Sequence, residues 1–345
     1  TFLNQYYSPY GNENNQNFYQ QNLYYQMKAK QERREIRKIG NMMGFCVLGF
    51  LAVQIASSYL LVFNDGLYDL YSSSSVFQNS FGIIFVELLA VVLPFGIMAF
   101  ANRKSYETAL IPARHIKFSQ LCLWVGFGML CCVGADYVVA ILMTISETLG
   151  FELTQAETAQ PDSVFACVIS VVSTAVVPAV CEEFAMRCCS LGLLKKYGKA
   201  LGVIGVSLVF GLLHGNLIQF VFATLVGLIL GFVTIKTDSI VPAILIHGFN
   251  NGMSAVSTVF EYALGSDAST AVNFALFVFW IVAGIISIIV LTVKKEFSFR
   301  LDAPKAPEPF ANTTAQKVGA FISSPVLIIS SLYLIFSVIS SIQKI

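Results

Sequence analysis

The sequence predicts an all-α fold, a polytopic transmembrane helical bundle with an eight-helix core and a ninth helix after it. Three observations carry this. Of 345 residues, 56% are hydrophobic and only 12% charged, where soluble domains carry about 25%. Apolar runs of the length a bilayer demands, about 20 residues, recur along the chain, and mean hydropathy is +0.71. The loops between those runs alternate in Lys and Arg content at each crossing, as the positive-inside rule requires.

Taken in order, residues 1–40 form a polar and then basic tail. Residues 1–27 are rich in Asn, Gln and Tyr without hydrophobic periodicity, so disorder is expected there. "KAKQERREIRK" follows at the mouth of the first apolar run, where it suits lipid headgroups. Polar residues first and a long apolar run after them do not resemble a signal peptide. Residues 41–295 make the core, with helices expected near 42–63, 81–101, 118–146, 164–197, 200–214, 217–235, 239–258 and 270–293. The 164–197 stretch is too long for one straight span. Pro178 is expected to kink it, with "CCSLGLLKKYG" running along the interface. Residues 296–345 hold a Pro-rich hinge, "DAPKAPEPF", and a ninth helix near 319–341.

The loops test this layout independently. Asp65 and Asp69 lie after the first helix with no Lys or Arg; Arg103, Lys104, Arg114 and Lys117 lie after the second. Glu147, Glu152, Glu157 and Asp162 follow the third. Lys195, Lys196 and Lys199 follow the fourth, Lys236 the next pair, then Glu261 and Asp267, and finally Lys294, Lys295, Arg300 and Lys305. The N-terminus is therefore expected in the cytoplasm, and the expected location is a bacterial plasma membrane. A net charge of +1 with no basic stripe gives no reason to expect nucleic acid. The eight cysteines sit mostly in apolar runs and form no CxxC, which argues against a zinc ribbon or a disulfide framework.

Ionisable residues at membrane depth carry the functional argument, since charges there cost several kcal/mol. Glu183 lies twelve positions before Lys195, or ~18 Å along a helix. His214 lies fifteen positions after Lys199, ~22 Å, and His247 eleven after Lys236, ~16 Å. Three segments thus bring acids and imidazoles to one level. Glu183 and Arg187 stand at i and i+4 and can pair, while Glu182, turned by about 100°, points elsewhere. His247 and Asn251 share a face in "HGFNN", and Phe210 lies one turn before His214. Such a set permits hydrolysis. A carboxylate with a histidine can take a proton from water, and a second histidine with an amide can stabilise an oxyanion. Glu183, His214 and His247 could alternatively form a zinc shell with an open water position. Both versions stay open. Glu87 and Asp136 also lie at depth but without a motif, and His115 in "ARHIK" reads as a solvated loop residue. Gly227 and Gly231 read as a close helix contact.

"EEFAMR" fits EExxxR, "FGLLH" fits FxxxH and "HGFNN" fits HxxxN. In order and helical setting these resemble the CAAX-protease and bacteriocin-processing (CPBP, or Abi) intramembrane proteases, which include the type II CAAX prenyl endopeptidases. The resemblance covers roughly residues 80–260. It implies water activation by Glu182 and His214, an oxyanion site at His247 and Asn251, and support from Glu183 and Arg187. It further implies a peptide or lipidated protein substrate, contact with membrane lipids, and, in the metalloprotease version, one divalent metal such as zinc. Two other classes compete. A secondary transporter also gathers acids and histidines at midplane, but no internal repeat with matching broken helices is evident. A non-catalytic scaffold or immunity protein would be expected to lose motif residues, and all are present here.

Overall fold

The computed structural model describes residues 9–103, 111–154, 160–301 and 310–344, with side chains described from residue 17 onward. Residues 1–8, Lys104, Glu157, Lys305 and the hinge at 302–309 lie outside the described residues. Helix dominates, and the one sheet among the described residues is a pair of three-residue strands. Among the described residues, six helical stretches are long and apolar enough to cross a membrane: Asn17–Val62, Ser75–Ala101, Phe118–Thr148, Val164–Tyr197, Leu217–Thr237 and Ser266–Val293. A seventh arises if Thr314–Ile322 and Pro325–Ser340, bent by 73°, count as one span. This is a multi-pass, all-α membrane bundle.

Helix α1 runs from Pro9 to Val62, 54 residues. Residues 9–27 are thus helical where disorder was expected, and the helix continues through the basic residues after them. Gln, Met, Lys, Ala, Glu and Arg make up residues 26–35, and all favour helix. What pins them is distant in sequence. The Asn312 amide donates to the Ala29 carbonyl at 2.8 Å and to Glu32 at 2.7 Å, and its oxygen accepts from Arg33. Lys317 pairs with Glu32 at 2.7 Å, and Ile36 and Ile39 are buried beneath.

Next come α2 (Asp65–Ser73), α3 (Ser75–Phe81), a π-helical segment π1 (Gly82–Val92) and α4 (Leu93–Ala101). Helix α5 spans Phe118–Thr148, followed by strand β1 (Phe151–Leu153). The long fourth stretch is built from α6 (Val164–Val171), π2 (Val172–Val176), α7 (Val177–Glu183) and π3 (Phe184–Leu191). Its continuation through Leu194 buries Leu191, Leu193 and Leu194 in the core. The leucines of that stretch meet α1 and the following helix.

Helices α8 (Lys199–Leu213) and α9 (Leu217–Thr237) form a hairpin. A Cβ on Gly227 would lie 3.1 Å from the Ser207 Cβ, and one on Gly231 would lie 3.2 Å from Val203. These glycines therefore let the two backbones approach, as their spacing predicts. At 15 residues α8 is only about 22 Å long, short of a hydrocarbon layer of about 30 Å. Helices α10 (Val241–Leu264) and α11 (Ser266–Val293) follow, then α12 (Thr314–Ile322), α13 (Pro325–Ser340) and strand β2 (Ile342–Lys344).

Packing divides into two cores. One joins α1, π1, π3, α8, α12 and α13; the other joins α5, α9, α10 and α11. Exposed Ile285, Ile286 and Ile289 on α11 form the kind of apolar exterior that lipid covers.

Candidate active site

Pro178 shapes the helix that carries both glutamates. Its ring nitrogen has no hydrogen, so the Thr174 carbonyl four residues earlier loses its α-helical donor. The chain passes through π2 just before it, and the Asn251 side-chain amide donates to Thr174 O at 3.1 Å. Asn251 thus joins α10 to the kinked helix where that helix has a spare acceptor.

One turn further on, Glu183, Arg187 and His247 form a buried cluster, exposed by 0%, 1% and 5%. Arg187 Nη1 donates to Glu183 Oε1 at 2.8 Å, and Nη2 donates to the Gly227 carbonyl at 3.2 Å. The guanidinium carbon lies 4.8 Å from the centre of the Phe210 ring, so an aromatic face balances the rest of its charge. His247 Nδ1 lies 2.9 Å from the same Glu183 oxygen. A carboxylate beside an arginine only accepts, so Nδ1 carries a proton. Arg187 from the same helical stretch and His247 from α10 thus meet at one oxygen, which is what makes such a buried charge tolerable.

Glu182 takes the other direction, as the rotation between neighbouring residues requires. It lines a cavity of about 200 Å³ together with Met186, Phe210, Leu213 and His214. The opposite wall comes from Phe50 and Gln54 of α1 and from Val86 and Val91 of π1. Glu182 Oε2 has no hydrogen-bond partner within the protein, and His247 Nε2 stands 3.7 Å from it. Oε2 is itself shut off from solvent, and the remainder of the side chain, which is 17% exposed overall, meets the space where water can sit.

His214 sits immediately after α8, and its Nδ1 lies 2.9 Å from the Phe210 carbonyl. A carbonyl only accepts, so Nδ1 carries the hydrogen and the neutral ring presents Nε2 as a base. The structure therefore brings Glu182 and His214 to one cavity and groups Glu183, Arg187 and His247 behind it. Asn251 bonds Thr174 and does not line the cavity.

The zinc shell imagined from Glu183, His214 and His247 does not assemble. His214 lines the cavity with Glu182, while Glu183 Oε1 is engaged by Arg187 and His247. Among the described residues no group of three or more His, Cys, Asp or Glu is placed to hold a metal ion. Sequence reasoning missed the walls from α1 and π1. Gln54, a polar residue within an apolar run, was the one available signal. Glu87 is 7% exposed, with an Oε2 that lacks a partner, and lies close enough to Glu182 for their charges to interact. Asp136 and His115 are exposed and stand apart from the site.

Comparison with protein-family models finds a match over the segment that carries these residues. Residues 164–253 match the family model described as Rce1-like, type II CAAX prenyl endopeptidase Rce1-like. That segment contains all six motif residues from Glu182 to Asn251. The match supports the resemblance to the CAAX-protease family and, with the apolar helices, a membrane protease. Comparison with curated proteins and with solved structures gave no match.

Proposed function

We propose that this chain is an intramembrane endopeptidase that hydrolyses a peptide bond of a membrane-associated substrate with water activated by Glu182 and His214. The observation that carries the reading is their joint access to one cavity while the neighbouring acid, Glu183, is tied up behind them. A water there offers one O–H to Glu182 and the other to His214 Nε2. As its oxygen attacks the scissile carbonyl, its proton passes to the carboxylate. A C–O bond forms, and the carbonyl oxygen becomes an oxyanion on the side of His247, which donates to it from Nε2 as the imidazolium, with protons on both ring nitrogens. The proton then goes to the leaving amine as the C–N bond breaks.

The family description points to a CAAX-type, prenylated substrate, and the mostly apolar cavity walls agree with a lipid-proximal one. A cytoplasmic N-terminus puts the basic arm of α1 on the side where such tails are found. The test is turnover by purified protein in lipid discs on a panel of prenylated, unprenylated and transmembrane peptides, with and without chelator. Metal analysis of the same sample decides whether a divalent ion takes part. Cleavage that disappears in Glu182→Ala and in His214→Ala supports the reading; wild-type rates in both variants overturn it.

A further inference from the structure

Helix α13 and β2 lie outside the segment that matches the family model, and the sequence marks them only as an extra apolar helix. From the contacts they make, we infer that Ser337 and Ser341 are positioning residues that hold the turn carrying His214. The inference rests on the hydrolytic role proposed for that histidine.

The turn between α8 and α9 consists of His214, Gly215 and Asn216. Gly215 adopts φ +72°, a left-handed conformation natural to glycine. Such a reversal leaves backbone groups without helical partners. The Gly215 carbonyl is met by the Ser337 hydroxyl at 2.7 Å. The Leu217 N–H, at the start of α9, donates to Ser341 Oγ at 3.0 Å. That hydroxyl in turn donates to the Val338 carbonyl at 2.7 Å, which fixes its orientation. Asn216 completes the turn, accepting from Gln219 N at 2.9 Å and donating to the His214 carbonyl at 3.3 Å.

Location makes these bonds matter. Gly215 and Leu217 are half-buried, so their backbone groups are partly cut off from water and an unpaired one there is costly. In a solvated loop the same serines would compete with water and add little. The brace is itself anchored. Strand β2 pairs antiparallel with β1, and Thr154 N donates to the Ser341 carbonyl at 3.0 Å. At the other end, a Cβ on Gly44 would come within 2.5 Å of Leu327 N, so α1 and α13 touch backbone to backbone. With the Cα of His214 held by this frame and its Nδ1 held by Phe210, Nε2 has one heading, into the cavity.

The test compares Ser337→Ala, Ser341→Ala, the double alanine variant and Ser337→Thr, each as full-length protein in lipid discs. Two readouts are taken: steady-state kinetics, and amide hydrogen exchange at residues 211–220 against α10 as reference. The alanine variants are expected to lose about tenfold to a hundredfold in kcat, the scale of a small misplacement, with KM little changed. Exchange is expected to rise at 214–217 and not in α10, and Ser337→Thr, which keeps the hydroxyl, is expected to retain both. Unchanged kcat in the double variant overturns the inference, and so does unchanged exchange at Gly215 and Leu217. If exchange also rises in α10, the double variant has lost its fold, and Ser337→Ala against Ser337→Thr decides by the same readouts. Should wild-type protein cleave nothing, the proposed function fails on its own, while exchange still decides whether the brace exists.

Discussion

Glu183 and His247, 64 residues apart in sequence, meet at 2.9 Å through Glu183 Oε1 and His247 Nδ1. The same oxygen receives Arg187 at 2.8 Å. Glu183 is therefore the joint of the site, and the neighbouring Glu182 is left to face the cavity.

Arg187→Ala leaves the Glu183 carboxylate buried beside nothing but a histidine. Removing one partner of a buried pair costs about 3–5 kcal/mol, which chemical unfolding in detergent will measure. Arg187→Lys is expected to recover only part of this, since a lysine lacks the planar fork that reaches Glu183 and Gly227 together. A loss below about 1 kcal/mol is the range of a solvated pair and would contradict the burial described here.

The two glutamates should separate cleanly by substitution with glutamine. Glu182→Gln is expected to keep the unfolding midpoint and lose about 10²–10⁴-fold in turnover, the usual contribution of a positioned base. Glu183→Gln is expected to lower the midpoint as well. Equal effects of both on stability would mean that their division of labour is wrong.

Asn251 and Pro178 form a testable couple. Asn251→Ala deprives the Thr174 carbonyl of a donor, at about 1–3 kcal/mol. Pro178→Ala supplies a backbone N–H for the same carbonyl. The double variant should therefore regain stability, and a double-mutant cycle on the unfolding midpoint reads this out.

Phe50 is a wall residue contributed from far outside the motifs. Phe50→Trp narrows the cavity, and kcat/KM for the best peptide of the panel should fall about 10- to 200-fold, the range for a small change in an apolar pocket. Activity against the least bulky peptide should fall least. A uniform loss across the panel would argue for damage to the fold and not for crowding of the substrate.

The motif residues were legible because charge and histidine stand out against an apolar background, and helical spacing then sorts Glu182 from Glu183. The i, i+4 relation of Glu183 and Arg187 is a local property, so sequence alone could state it. His214 and His247 could be set at a common depth from the nearest lysines, but not at a common place: His247 joins Glu183, whereas His214 faces the cavity. The cavity wall was not legible, because Phe50, Val86 and Val91 look like every other apolar residue in their runs. The helicity of residues 9–40 escaped for a related reason. Its partners, Asn312 and Lys317, lie nearly 300 residues away, and no periodicity records them. Ser337 and Ser341 resemble ordinary small residues of a membrane helix until the turn they touch is seen.

The first helix has one more consequence. From Asn17 to Val62 it is 46 residues long, about 69 Å, more than twice the depth of a hydrocarbon layer. Phe50 and Gln54 sit on its inserted half, and Glu32 and Arg33 on the protruding half are tied to Asn312. One unbroken helix thus joins the arm anchored by Asn312 and Lys317 to the wall that faces Glu182, so a change at Glu32 or Arg33 and a change at Phe50 fall on a single continuous element.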